Sequence, residues 1–300
     1  MSAGAVLQLP VECVANMGDD LGESPVWAPA NQSLYWADIN RGLIHCLDYK
    51  SGAVQTLGVG EPVGSFALAR EGGFVAGLKS GVWQLDGTGG KLRLLAHASA
   101  AIAHQRLNDG RCDPQGRFWV GAMDESRQRH DGNLYFLDAD GGCTTKLAGI
   151  SISNGLAWSP DGRWMHHADT PTQTIAAYPY DGTSGAIGEP RVFHRFEAPD
   201  EKPDGAAFDS LGRYWVALYG AGRVTCLSPS GERLFDIPVP CRCPTMVAFA
   251  GPDFKTLFVT SARQKRSAEE LELFPLSGAV FAIRVDTAGL PEPVWNGVSA

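Results

Sequence analysis

The sequence predicts an all-β fold, a six-bladed β-propeller with four-stranded antiparallel blades around a central channel, and two observations predict it. A hairpin pattern recurs six times at intervals of 41 to 50 residues, and a further strand follows every copy after a short polar or glycine-containing loop. Units of that length and internal order have the arithmetic of propeller blades. A β-sandwich or a pair of smaller barrels would not need six matching units.

The elements follow in order. Three copies are clear: CDPQGRFWVGAM (112–123), WSPDGRWMHHAD (158–169) and FDSLGRYWVALY (208–219). Each has an apolar start, a polar-Gly-Arg turn and an aromatic-rich strand, which is hairpin chemistry. Looser copies are WAPANQSLYWAD (27–38), LAREGGFVAGLK (68–79) and FAGPDFKTLFVTSA (249–262). The third strands are GLIHCLD (42–48), GVWQLDG (81–87), GNLYFLDADG (132–141), QTIAAYPYDG (173–182), GRVTCLSPSG (222–231) and GAVFAIRVD (278–286). A fourth strand usually follows. Residues 267–274 are the best candidate for a turn or two of helix, and residues 6–14 are the segment available to close the ring by joining the last blade, since open sheet edges are a liability.

Composition agrees. A chain of 300 residues with 44% hydrophobic residues, 36 Gly and 19 Pro suits a packed core reached through many short strands, and the repeats make residues 1–300 one domain. The net charge of −8, with no basic run longer than Lys265-Arg266, argues against nucleic acid as a partner. The N-terminus has no basic region before its brief apolar patch, so neither a secretory signal nor a membrane association is expected, and the expectation is a cytoplasmic monomer. Seven Cys without CxxC spacing imply no disulfide framework and read as buried thiols.

The position four residues before the first apolar residue of each copy holds Glu23, Gly64, Asn108, Asn154, Asp204 and Thr245. On innermost strands these positions surround the axis at one height. Carboxylates and amides are poor choices at the entrance of a packed strand, because an unpaired charge there is costly to dehydrate. A cation removes that cost. Glu23, Asn154 and Asp204, with Asn108 near them, offer hard oxygen donors and two negative charges, which suits a divalent ion such as Ca, Mg or Mn with positions left for water. Any one of these residues alone would pass for an ordinary turn residue.

LGESPVW (21–27), RLNDG (106–110), ISNGLAWSPDGR (152–163), PDGAAFD (203–209) and GRV (222–224), followed by VTSAR (259–263) and SGAVF, resemble the gluconolactonase, regucalcin and senescence-marker-protein family, in its bacterial aldonolactonase form. The resemblance covers nearly the whole chain in order. It implies one divalent metal on the axis (Ca, Zn, Mn, Mg or Fe(II)), held by Glu23, Asn154 and Asp204. It implies hydrolysis of a five- or six-carbon sugar lactone to the aldonic acid in carbohydrate catabolism, with Arg106 and Asn108 holding substrate hydroxyls. Asp204 would then also serve as the base that takes a proton from water. In animal members a Glu in the loop after the second strand of this blade contacts substrate. Ser126 stands at the aligned spot here, directly after Asp124 and Glu125, so Glu125 and His104 are the candidate substrate contacts and loop 123–133 would tune which sugar fits. Two alternatives stay open: a paraoxonase-like esterase or organophosphate hydrolase, which would favour two calcium ions and a functional His pair, and a calcium-binding propeller without turnover. Nucleophilic serine catalysis by Ser153 is disfavoured, because it lacks a GxSxG elbow and a His in register.

Overall fold

The computed structural model describes residues 5–297. Six sheets follow one another around a ring, and within each blade the main strands run in sequence order from the axis outward. The innermost strands are Gly22–Ala28, Val63–Leu68, Gln105–Cys112, Ser153–Trp158, Lys202–Phe208 and Pro244–Ala250. Each packs on the innermost strand of the next blade, and the sixth packs on the first. This is the six-bladed propeller expected from the repeats.

The recurring hairpin has a physical cause. In the third blade the Asp113 carboxylate accepts the backbone N–H groups of Gln115 and Arg117 at 3.0 Å each, Arg117 Nε at 2.8 Å and Trp119 Nε1 at 3.1 Å. Asp209 does the same in the fifth blade for Leu211, Arg213 and Trp215. One buried carboxylate therefore closes the turn and anchors the aromatic residue that packs against the next blade. The turn ends on Gly116 and Gly212 at φ 77 and 75, a left-handed conformation that glycine adopts without steric penalty. Trp119 then meets Trp158 across the blade boundary at 5.7 Å, and Trp215 meets Phe249 at 5.7 Å.

Val11–Ala15 pairs antiparallel with Val280–Arg284 and is the outermost strand of the sixth blade, so residues near the two ends of the chain close the ring together. Only part of residues 6–14 does this. Ala5–Val6 instead adds a parallel pair to Arg233–Pro238 of the fifth blade, and the two short strands are separated at Pro10, which has no N–H to give a ladder. The helix falls at Ala268–Leu273, with the Ser267 hydroxyl accepting from Glu270 N at 3.2 Å. The thiols divide differently from expectation: Cys112, Cys226, Cys241 and Cys243 are buried, whereas Cys13 and Cys143 are exposed, being on outer strands. Among the described residues no helix is long and apolar enough to cross a membrane.

Candidate functional site

Every innermost strand breaks register with its neighbour at the position singled out by the repeats. The pairing shifts between Glu23 and Val26, Val63 and Ser65, Leu107 and Gly110, Asn154 and Ala157, Pro203 and Ala206, and Pro244 and Val247. A bulge of this kind adds a residue to one strand and re-aims its side chains. Beside Glu23 it places Ser24 at φ 51, uncommon for a residue with a side chain and a form of local strain that collects at functional sites.

The bulges bring Glu23, Arg106, Asn108, Asn154 and Asp204 to one cavity of about 170 Å³ at the end of the ring where the inner strands begin. A chain of hydrogen bonds runs along its wall. Arg106 Nη1 donates to Asn108 Oδ1 at 2.6 Å, and Asn108 Nδ2 donates to Asn154 Oδ1 at 3.0 Å and to Ser153 O at 2.8 Å. Asn154 Nδ2 donates to Thr170 Oγ1 at 2.8 Å, and that hydroxyl donates to Pro203 O at 2.8 Å. The chain thus ends beside Asp204, with both amides held in fixed orientation.

Glu23 and Asp204 are only 6% and 7% exposed. Burial pushes the Glu23 carboxyl well above the usual carboxylate range, and Asp204 and then Asp109 push it further. Burial does the same to Asp204; Asp109 adds to the rise, while Arg127 and Arg106 oppose it. Arg106 is itself brought down to about 10 by burial, against the pull of Glu125 and Glu23. Among the described residues neither Glu23 nor Asp204 has a basic partner at ion-pair distance. Two buried carboxylates beside two amide groups, all hard oxygen donors, fit a divalent ion. Among the described residues, no group of three or more His, Cys, Asp and Glu is arranged to hold a metal, so the amides would be needed to complete this set.

Two predicted contacts stand off the cavity wall. Glu125 is 45% exposed and ion-paired with Lys79, and His104 Nε2 lies 2.8 Å from Asp131 Oδ2, so rim partners occupy both. Ser126 does not face the cavity as a donor either, because its hydroxyl donates to Asp124. Ser153 does have a His partner, contrary to expectation: its Oγ lies 2.9 Å from His167 Nε2. That pair is wedged between blades, where Ser153 Oγ stands 1.8 Å from the point a Cβ on Gly121 would occupy, and it does not line the cavity. Burial lowers His167 to about 4, with Asp169 opposing, and lowers His166 to about 3. His166 lies among aromatic rings, 4.5 Å from Phe193 and 4.9 Å from Phe208, as a core residue.

Other groups were not anticipated. Asp109 shares the bulge with Asn108, is 4% exposed, accepts Leu156 N at 3.0 Å through Oδ2 and has no partner for Oδ1. Thr170, Arg127, Lys202, Tyr219 and Gln264 also line the cavity. They come from strand ends and loops whose approach depends on the closed ring, and only Asp109, adjacent to Asn108 in an Asn-Asp-Gly run, carried a local signal.

Comparison with known proteins identifies the family and the fold. A family model described as SMP-30/Gluconolactonase/LRE-like region matches residues 21–263. The chain is 46% identical over 288 residues to a Pseudomonas putida protein named 6-deoxy-6-sulfogluconolactonase, covering 96% of this chain and 99% of that one. It is 35% identical to Gallus gallus regucalcin over 96% and 98% of the two chains. Among solved structures, a calcium-binding regucalcin from Agrobacterium tumefaciens superposes with a TM-score of 0.93 at 28% identity, over 97% and 99% of the two chains. A luciferin-regenerating enzyme superposes with a TM-score of 0.88 at 28% identity, over 96% and 99%. The matched span runs from Leu21, at the first inner strand, to Arg263, just past the second strand of the sixth blade, and the chain belongs to the SMP-30/gluconolactonase/LRE-like family.

Proposed function

We propose that this lactonase hydrolyses a five- or six-carbon sugar lactone to its aldonic acid and depends on one divalent cation held by Glu23, Asn154 and Asp204. The observation that carries the reading is the pair of buried carboxylates, without basic partners at ion-pair distance, on a wall of oriented amides. When bound, the cation supplies Lewis-acid polarisation of the lactone carbonyl and stabilises the negative charge that develops on its oxygen.

The chain's own residues do the rest. Asp204 is the carboxylate at the cavity whose second oxygen takes a proton from the attacking water. Arg106 uses Nη1 on Asn108 Oδ1 and Leu107 O, which leaves the rest of its fork for lactone or hydroxyl oxygens. Asn108 holds Asn154 in place through Nδ2, so removing it would disturb a metal donor as well as a substrate contact. A cavity of about 170 Å³ suits one small sugar ring. The Pseudomonas putida relative named for a sulfonated gluconolactone and the Agrobacterium tumefaciens relative described as a calcium-binding protein support the substrate class and the cation respectively. The reading takes the protein to act as a cytoplasmic monomer on a soluble small molecule.

The test is proton release from glucono-, xylono-, arabinono- and galactono-lactone with Ca, Zn, Mn, Mg or Fe(II) added. At least one pairing should exceed the buffer rate and return to it on chelation. No acceleration over buffer with any pairing would refute the reading.

A further inference from the structure

The loop after the second strand of the third blade does something other than supply a carboxylate. Asp124 has no exposed surface, and its side chain accepts the backbone N–H groups of Ser126 at 3.1 Å, Gln128 at 2.9 Å and Arg129 at 3.0 Å. Arg127 N donates to the Asp124 carbonyl at 3.0 Å. This cap holds Arg127 at φ 59, a left-handed conformation that an arginine adopts only under local constraint. The side chain so placed lines the cavity, and its charge is felt at both Asp204 and Arg106.

Lys202 reaches the mouth of the same cavity from the start of the fifth blade's inner strand, two residues before Asp204, with its side chain exposed. Among the described residues neither Arg127 nor Lys202 has a carboxylate at ion-pair distance. Arg117, Arg213 and Arg233, by contrast, are each committed to a carboxylate within 2.8 Å. With Arg106, the lining carries three cations against the carboxylates of Glu23 and Asp204, and a divalent ion on those carboxylates would widen the excess. A neutral sugar lactone has nothing to neutralise it.

We propose that Arg127 and Lys202 form an anion subsite, and that the substrate is a sugar lactone bearing a terminal sulfonate, phosphate or carboxylate on the carbon remote from the lactone carbonyl. The proposal rests on the lactonase reading for its reaction and on the two unpaired cations for its substrate class. Arg127 and Lys202 act as specificity determinants, holding the anion by charge-assisted hydrogen bonds while Arg106 and Asn108 hold the ring.

The experiment compares gluconolactone with its 6-phospho, 6-deoxy-6-sulfo and 6-carboxylate counterparts on the full-length, metal-loaded protein. At least one anionic lactone should exceed the neutral one by about tenfold or more in kcat/KM, the worth of one charge-assisted contact. Arg127→Asn, which tolerates the left-handed turn, and Lys202→Gln should each reduce the anionic-to-neutral ratio by about tenfold, through KM rather than kcat. The order among the anions identifies the group. A neutral substrate preferred, or a ratio unmoved in both variants, overturns the proposal. Calorimetric binding of 6-phosphogluconate, 6-deoxy-6-sulfogluconate and gluconate to the same proteins separates the two readings: a chain that opens no lactone yet binds the substituted acids more tightly, and loses that preference in both variants, keeps the subsite and loses the lactonase reading. Equal binding of all three acids overturns the subsite whatever the turnover.

Discussion

Gly64 and Asp204 stand at equivalent positions on the inner strands of the second and fifth blades, and the fold uses them in opposite ways. A Cβ on Gly64 would lie 2.2 Å from Leu107 O and 2.5 Å from Leu107 C, so the absence of a side chain lets the third blade's inner strand come close enough to carry Arg106 and Asn108 to the axis. Asp204 has a side chain where one is costly, buried and pushed toward protonation. Thr245, at the same height in the sixth blade, is intermediate: its hydroxyl donates to Gly22 O at 2.5 Å and meets Thr260 Oγ1 at 2.8 Å, joining the sixth blade to the first. Repetition supplies equivalent places, and the ring assigns some to holding itself together and others to the cavity.

The contrast can be broken by exchanging the consequences. Asp204→Asn should lower turnover by roughly a thousandfold and abolish metal uptake with it, while the metal-free protein melts no lower than the parent, because an amide of the same shape avoids the cost of ionising a buried carboxyl. Activity and metal content are read on the same preparation, and an active, metal-replete variant would remove Asp204 from the mechanism. Gly64→Ala should do the reverse, costing about 3 kcal/mol of stability through a clash with backbone that cannot rotate away. A denaturant midpoint equal to the parent's would show that the close approach is not needed.

Titration sharpens the same comparison. Glu23 and Asp204 have folded pKa values above their unfolded ones, so as pH rises from about 4 the unfolded state releases its protons first. The metal-free protein therefore loses this part of its stability with rising pH until the folded values are passed. A divalent ion held by this pair would require it deprotonated, so its affinity would rise over the same window. The gap in melting temperature between metal-loaded and chelated protein should widen as pH rises above about 4, and a constant gap would mean that these carboxylates are not the ones bound. The smallest effect is expected at Thr245→Val, about 1 kcal/mol for the lost hydroxyl bonds, read as a lower denaturant midpoint.

The fold was legible because its signal is local and repeated: Asp113 with Arg117 and Trp119, and Asp209 with Arg213 and Trp215, form the same turn from the same spacing. Projecting that spacing brought Glu23, Asn108, Asn154 and Asp204 to one height, and the structure brings them to one cavity. The bulges were not legible, since a bulge is a mismatch between two strands and neither strand shows it alone. Arg127 was missed because its direction depends on a left-handed turn capped by Asp124, and Glu125 and His104 were read from adjacency without the rim partners Lys79 and Asp131. Thr170 joins the amide chain only because the fourth and fifth blades meet there.

Closing the sixth blade with Val11–Ala15 has a consequence for the order of synthesis. That strand is made before any of the blades, yet its antiparallel partner Val280–Arg284 is made only after five blades have been translated. Thr245 and Gly22, joined across 223 residues, wait on the same event. A nascent chain of five blades would already hold Asn108, Asn154 and Asp204 in sequence but would keep Glu23 on an unclosed edge. Synthesis of the sixth blade and completion of the cavity are therefore linked, and a chain cut short of that blade would leave Glu23 apart from the other proposed donors.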